Sequence, residues 1–346
     1  MDHSAIDTLG QVPHGGDLDP RVLDFSANTN PNTPPGTHAA YMDAFAAAKR
    51  YPDPAYRSYR TAAAEYLTWE HTQADVHATP LTPASIIPTA GGLVGMRLLF
   101  ECTLSQGDSV LVPTPSFGEY AREVRLQGAT PVFVSHDSIL SCDPTAHDVA
   151  IVCNPNNPTG TLYDRSALTS FATRCVDAET TLLVDEAFLD YTNAGSLVGM
   201  DGVVVARSLT KIFGLPGLRA GFLATTDSLG DRLSTAKPTW GLSTPASHVG
   251  EHCFSQTAFV KETIERVATE RTRMTDRLSE RFTVYPSAAP FLLLETDRPV
   301  ADIVEETREH GVAIRDATTF RGLDSHIRVA IKQPAQNDRL LEALNV

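Results

Sequence analysis

Lysine is scarce in this chain of 346 residues, occurring only at 49, 211, 237, 261 and 332. Arginine therefore carries most of the positive charge, and 28 basic residues face 42 acidic ones for a formal charge of −14. A surface of that sign repels phosphate backbones and anionic lipid, so nucleic acid and membrane are excluded as default partners. An acid-rich, lysine-poor chain would also suit a salt-rich cytoplasm. Cysteine is sparse and scattered: Cys102, Cys142, Cys153, Cys175 and Cys253 are odd in number and form no CxxC pair. That excludes a disulfide framework and a zinc site, and points to reduced thiols in a cytoplasmic protein. The eleven histidines have no metal-ligand spacing, so no metal is expected. No long apolar run is present either. The best candidate span, near Ile86–Leu104, is broken by Pro88, several glycines and Arg97. Residues Met1 to Asp7 show neither the basic nor the apolar segment of a secretory leader.

What is present is a globular balance, 42% hydrophobic and 20% charged, enough for a sizeable core. The first forty residues are rich in Pro, Gly, Asn and His and read as an extended arm. Short β-branched runs then alternate with helical stretches: Ser109–Val112, Pro131–Val134, Val149–Cys153, Thr181–Val184, Val203–Ala206 and Gly221–Ala224. Such runs bounded by turn residues are buried, mostly parallel strands of an α/β sheet. The stretch Ala246–Phe282 reads as one long helix. Phe291–Leu294, Val312–Ile314 and Ile327–Ile331 suggest a small α+β unit. The expected organisation is an arm over 1–40 belonging to the small domain, a large α/β domain over 41–284 and a small α+β domain over 285–346.

Four segments carry chemistry. Gly91-Gly92 opens a helical pattern, and free N–H groups at a helix start make a phosphate cup, although a tight turn would use the same residues. Asn154-Pro155-Asn156-Asn157-Pro158-Thr159-Gly160 follows a buried strand. It is either a polar loop or a place where a fixed amide donates to a phenolate-type oxygen, since ligands bind at the carboxyl ends of such strands. Asp185 ends an apolar strand, where a carboxylate must be paired or bonded. It could cap a helix or keep a heterocyclic nitrogen protonated. Lys211 lies just past another strand, beside Ser208 and upstream of Arg219. It is either a solvated loop residue or an amine whose pKa is lowered enough for a Schiff base, with Ser208 and Arg219 completing the cup.

A phosphate cup, an amide donor, a buried carboxylate and a lysine form the inventory for pyridoxal 5′-phosphate. The ordered segments Asn-Pro-Asn-Asn-Pro-Thr-Gly, Asp-Glu-Ala-Phe and Ser-Leu-Thr-Lys with Gly-Leu-Arg-Ala-Gly resemble the fold-type I pyridoxal-phosphate enzymes. That resemblance implies an α/β large domain with a mostly parallel sheet plus a small α+β domain. It further implies that Lys211 forms the Schiff base, Asp185 pairs with the ring nitrogen and Asn157 bonds the ring O3′. Tyr120 would stack on the ring, with Phe117 as runner-up.

His14-Gly15-Gly16-Asp17, Asp24-Phe25-Ser26-Ala27-Asn28, Arg50-Tyr51-Pro52-Asp53 and the tail around Arg315 and Arg328 narrow the likeness. They look like the branch that decarboxylates L-threonine O-3-phosphate in cobalamin assembly, with histidinol-phosphate aminotransferases as near relatives. By that resemblance His14, Gly15, Asn28, Arg315 and Arg328 face a phosphorylated amino acid. Tyr51 would reach a neighbouring subunit's site in a homodimer. Read on their own, His14 could cap a turn and the arginines could form surface ion pairs. Two departures stand out: Phe188 replaces a tyrosine common in aminotransferases, and Leu93 replaces a hydroxyl residue near the cofactor phosphate.

Overall fold

A computed structural model describes residues 1–346. The large sheet has seven strands: β2 (Ile86–Thr89), β3 (Ser109–Thr114), β4 (Thr130–Ser135), β5 (Val149–Cys153), β6 (Thr181–Asp185), β7 (Val203–Ser208) and β8 (Gly221–Ala224). They lie in the order β2-β8-β7-β6-β5-β3-β4, with β8 antiparallel to both neighbours and the other pairings parallel. Every residue of β5 is buried, as a sheet covered on both faces requires.

Alternate residues of each strand point to opposite faces, and the core divides accordingly. Val152, Leu182, Val184, Val203 and Val205 join one cluster with residues of the helices Arg57–Gln73 and Thr244–Phe254. Ile151, Cys153, Leu183, Val204 and Ala206 join the other, with the helices Gly92–Thr103 and Glu119–Leu126. Strand β2 escaped the sequence pattern because Pro88 sits inside it; at a sheet edge a proline is tolerated.

A second, antiparallel sheet has the order β12-β13-β10-β9, from β9 (Thr283–Val284), β10 (Phe291–Glu295), β12 (Arg315–Asp316) and β13 (His326–Ala330). The arm contributes β1 (Leu23–Asp24), parallel to β11 (Val312–Ala313). Phe25 continues this seam, donating to Ala313 O and accepting from Ala330 N. The expected strand at 312–314 is found as β11, and β12, which follows at Arg315, belongs to the other sheet. The expected single helix over Ala246–Phe282 is also two, Thr244–Phe254 and Thr257–Leu278, interrupted at Ser255-Gln256. No helix is long and apolar enough to cross a membrane.

The reversed strand β8 sets the geometry that follows. Its first residue, Gly221, is aligned with Ser208 at the carboxyl end of β7 and with Thr89 at the carboxyl end of β2. A side chain there would meet Arg207 O at 2.5 Å and the Gly91 backbone at 3.0 Å. Gly221→Ala should destabilise the protein by about 1–3 kcal/mol through overpacking against backbone. Gly10→Ala, which meets nothing within 4 Å, should be near neutral; urea unfolding of the two variants checks the contrast.

Candidate active site

The carboxyl ends of β2, β5, β6 and β7, with the start of β8, open on a cleft of about 370 Å³ closed on its far side by the arm and the second sheet. Lys211, Asp185, Asn157, Ser208, Arg219, Gly92, His14, Gly15, Asn28, Arg315 and Arg328 all line it. Three of the expected residues do not. Gly91 stands behind Gly92 as the helix cap, Tyr120 is buried beneath the floor, and Tyr51 is outside, 78% exposed and stacked on Trp240 with centroids 4.4 Å apart.

The cup forms where a helix start, two hydroxyls and a guanidinium converge. Gly91 adopts φ 91°, and a methyl group on it would come within 2.6 Å of Arg219 Nη2. The backbone conformation thus favours glycine here, and a side chain would also displace the Arg219 guanidinium. The first N–H groups of the helix Gly92–Thr103 have no intrahelical acceptor. Ser208 Oγ and Thr210 Oγ1 lie 2.8 Å apart and both residues line the cleft. Thr210 was missed in the sequence, although it stands inside the quoted Ser-Leu-Thr-Lys segment. Its hydroxyl and that of Ser208 stand beside the helix start where Leu93 offers none.

Asp185 is buried at the end of β6. Burial pushes its carboxyl above the ordinary carboxylate range, while the Tyr120 hydroxyl, the Ala187 N–H and Lys211 pull it back. Tyr120 donates to Oδ2 at 2.5 Å and Ala187 N to Oδ1 at 3.0 Å. This corrects the stacking role expected of Tyr120: its ring is packed under the site, and its hydroxyl tunes the carboxylate. Phe117 is the aromatic residue that lines the cleft, edge-on to Tyr120 at 5.5 Å.

Lys211 is half-buried in the cleft wall, and its pKa falls to about 8. Burial is the main cause, Arg328 and Arg219 add to it, and Asp185 opposes. A lysine so placed holds a substantial uncharged fraction near neutrality, as a Schiff-base nucleophile needs. Asn157 Oδ1 accepts from Arg328 Nη1, which turns the Asn157 amide so that its NH₂ is free to donate.

Arg315 and Arg328 are Cα partners across β12 and β13. Their hydrogen bonds go to Pro13 O, Thr319, Ser26 O and Asn157, and to no carboxylate. The surface ion pairs allowed by the sequence are therefore not formed. Burial and the neighbouring Arg315 push Arg328 down to about 9. Two like charges directly opposite on a sheet are unfavourable unless an anion joins them. Asn28 Oδ1 and Arg328 Nε are buried without partners. His14 Nε2 lies 2.8 Å from Glu119 Oε1, a buried carboxylate the sequence reading did not single out.

Residues 20–344 match the family Aminotransferase class I and II. The chain belongs to that family. Among similar proteins of the family are threonine-phosphate decarboxylase of Salmonella typhimurium, 32% identical over 94% of this chain and 90% of that protein, and histidinol-phosphate aminotransferase 1 of Archaeoglobus fulgidus, 28% identical over 93% and 98%. The fold is shared with histidinol-phosphate aminotransferase from Sinorhizobium meliloti in complex with pyridoxal-5′-phosphate, at a TM-score of 0.85, 21% identity and coverage of 99% and 96%.

The aminotransferase-family chain is a pyridoxal 5′-phosphate enzyme, and the residues present fit the group. The cup offers N–H, hydroxyl and guanidinium donors for its phosphate, Asp185 a carboxylate for its ring nitrogen, and Lys211 an amine for its aldehyde.

Two outcomes follow. Tyr120→Phe removes a donor from the Asp185 carboxylate, which should raise its pKa further and weaken cofactor binding by about tenfold, read by equilibrium dialysis. Capture of the cofactor by the apo-protein needs the uncharged Lys211 amine. Its rate should rise with pH through about 8 and level off above. Arg328→Gln removes a positive neighbour, so the inflection should move to higher pH; stopped-flow absorbance measures both.

Proposed function

We propose that this enzyme removes the carboxylate of L-threonine O-3-phosphate, giving (R)-1-aminopropan-2-yl phosphate for cobalamin assembly. The observation that carries the reading is the cross-strand pair Arg315 and Arg328, two guanidiniums facing one cleft without a carboxylate partner. A substrate with a phosphate and a carboxylate neutralises both, and each pairing is a charge-assisted, potentially bidentate bond. His14, held by Glu119, and the orphaned Asn28 Oδ1 add polar contacts on the arm side.

When bound, pyridoxal phosphate supplies an electron sink for a bond broken at the substrate Cα. Asp185 would hold a proton on the ring nitrogen, and Asn157, oriented by Arg328, would donate to the ring oxygen. The Arg315 and Arg328 guanidiniums would orient the substrate carboxylate for loss as CO₂, and the Lys211 ammonium would return a proton to Cα. Phe188 supports this outcome. It is buried edge-on against Phe291 with Lys211 Nζ 5.4 Å from its ring, and it offers no hydroxyl to the ring oxygen. A second reading, transamination of a histidinol-phosphate-type amine, is favoured by the Archaeoglobus relative. It differs only in presenting Cα–H to Lys211.

The homodimer belongs to the same proposal. Tyr51 and Trp240, exposed and stacked, and the exposed Tyr41, Met42 and Phe45 of the helix Thr37–Ala47 form the apolar material of a contact with a second copy.

Cofactor-loaded protein given L-threonine O-3-phosphate without 2-oxoglutarate should release CO₂ and aminopropanol phosphate in equal amounts. Arg315→Gln should lower kcat/KM by roughly 10–100-fold. No CO₂, with glutamate formed from 2-oxoglutarate when histidinol phosphate is supplied, would move the protein to the second reading.

A further inference from the structure

Behind the catalytic cleft, Arg207 is 3% exposed and faces three buried acids. Its Nη2 meets both oxygens of Glu70 at 2.8 Å, Nε meets Glu186 Oε2 at 2.9 Å, and Nη1 meets Asp190 Oδ1 at 2.9 Å. One guanidinium meets three carboxyl groups in a desolvated place, where excess negative charge must be lost by protonation or met by a further cation. Glu186 Oε1 is occupied by the Leu197 N–H, and Tyr66 donates to Asp190 Oδ1. Asp190 Oδ2 has no protein donor, though Asp190 is only 7% exposed. Burial, only partly offset by Arg207, raises Glu70 to about 8.

Directly outside Glu70 and Asp190 lies a second cavity of about 220 Å³, which shares no wall residue with the catalytic cleft. Tyr66 and Trp69 form one wall, stacked at 5.5 Å, and Val260 and Ile264 contribute apolar surface. Lys261 Nζ sits 5.8 Å from the Trp69 ring, so this aromatic face already attracts a cation. No group of three His, Cys, Asp or Glu side chains is placed to hold a metal, and aromatic and aliphatic walls do not suit a hydrated ion.

We propose that this cavity is a binding site for a small organic ammonium with an aromatic or branched apolar body. The body fills the space beside Trp69, and the ammonium donates to Asp190 Oδ2, adding a second cation to a cluster in which three carboxyl groups face one guanidinium. Arg207 also lines the catalytic cleft on its other side, so the two sites stand back to back across one guanidinium.

The test is calorimetric titration of the cofactor-loaded protein with N,N-dimethylbenzylamine, a tertiary amine that cannot condense with the cofactor aldehyde, against benzyl alcohol. The amine should bind saturably, one per chain, and at least about tenfold more tightly than the alcohol. Asp190→Asn should erase that preference. Ala194→Phe fills the cavity from a loop at its rim and should abolish amine binding while leaving the melting temperature in place, which keeps the test open if the Asp190 variant fails to fold. Absence of saturable amine binding, equal affinity for amine and alcohol, or undiminished binding to the Ala194→Phe protein would overturn the proposal.

Discussion

The reversal of β8 is the constraint on which the site depends. Inserted antiparallel between β2 and β7, it brings its amino-terminal end to the edge where the carboxyl ends of its neighbours lie. Arg219 therefore arrives beside Gly91, Gly92 and Ser208, although more than a hundred residues separate it from the two glycines. A parallel strand would have delivered that arginine to the opposite edge. The tight approach is possible because Gly221 and Gly91 have no side chains to keep the backbones apart.

Around that edge the protein concentrates charge in places where solvent cannot screen it. Asp185, Arg207 and Arg328 are buried and Lys211 is half-buried; desolvation leads the shifts of Asp185, Lys211 and Arg328, whereas at Arg207 the three facing carboxyl groups together outweigh it and raise the guanidinium. The shifts are opposed within the cleft: burial raises the carboxyl of Asp185 while Tyr120 and Lys211 lower it, and two arginines lower Lys211 while Asp185 raises it. Such mutual offsets hold an acid charged enough to pair with a ring nitrogen and an amine neutral enough to react, from the same small set of groups.

The opposed arginines on β12 and β13 have the same logic. Two like charges placed opposite one another in the second sheet repel, and an anion between them would relieve that repulsion. The arm contributes by geometry. Pro13 O takes a hydrogen bond from Arg315, and His14 rests on Glu119, so a single segment ties the second sheet to the helix Glu119–Leu126 across the cleft.

Local pattern determined a good deal here. The apolar runs of β3 to β8, the glycines before a helix, the Asn157 loop, Asp185 at a strand end and Lys211 past another were legible because strand ends, caps and loops obey short-range rules. The family likeness followed from their order. Strand β2 was hidden by its proline, the long helix by a two-residue break without a strong breaker, and the roles of Tyr120 and Phe117 by their closeness in one short motif. Only the tertiary structure decided that Tyr120 lies under the carboxylate and Phe117 over the cleft, that Arg315 faces Arg328, and that Arg207 gathers Glu70, Glu186 and Asp190. Those outcomes depend on strand register and on side-chain direction across elements far apart in the chain, which no local spacing encodes.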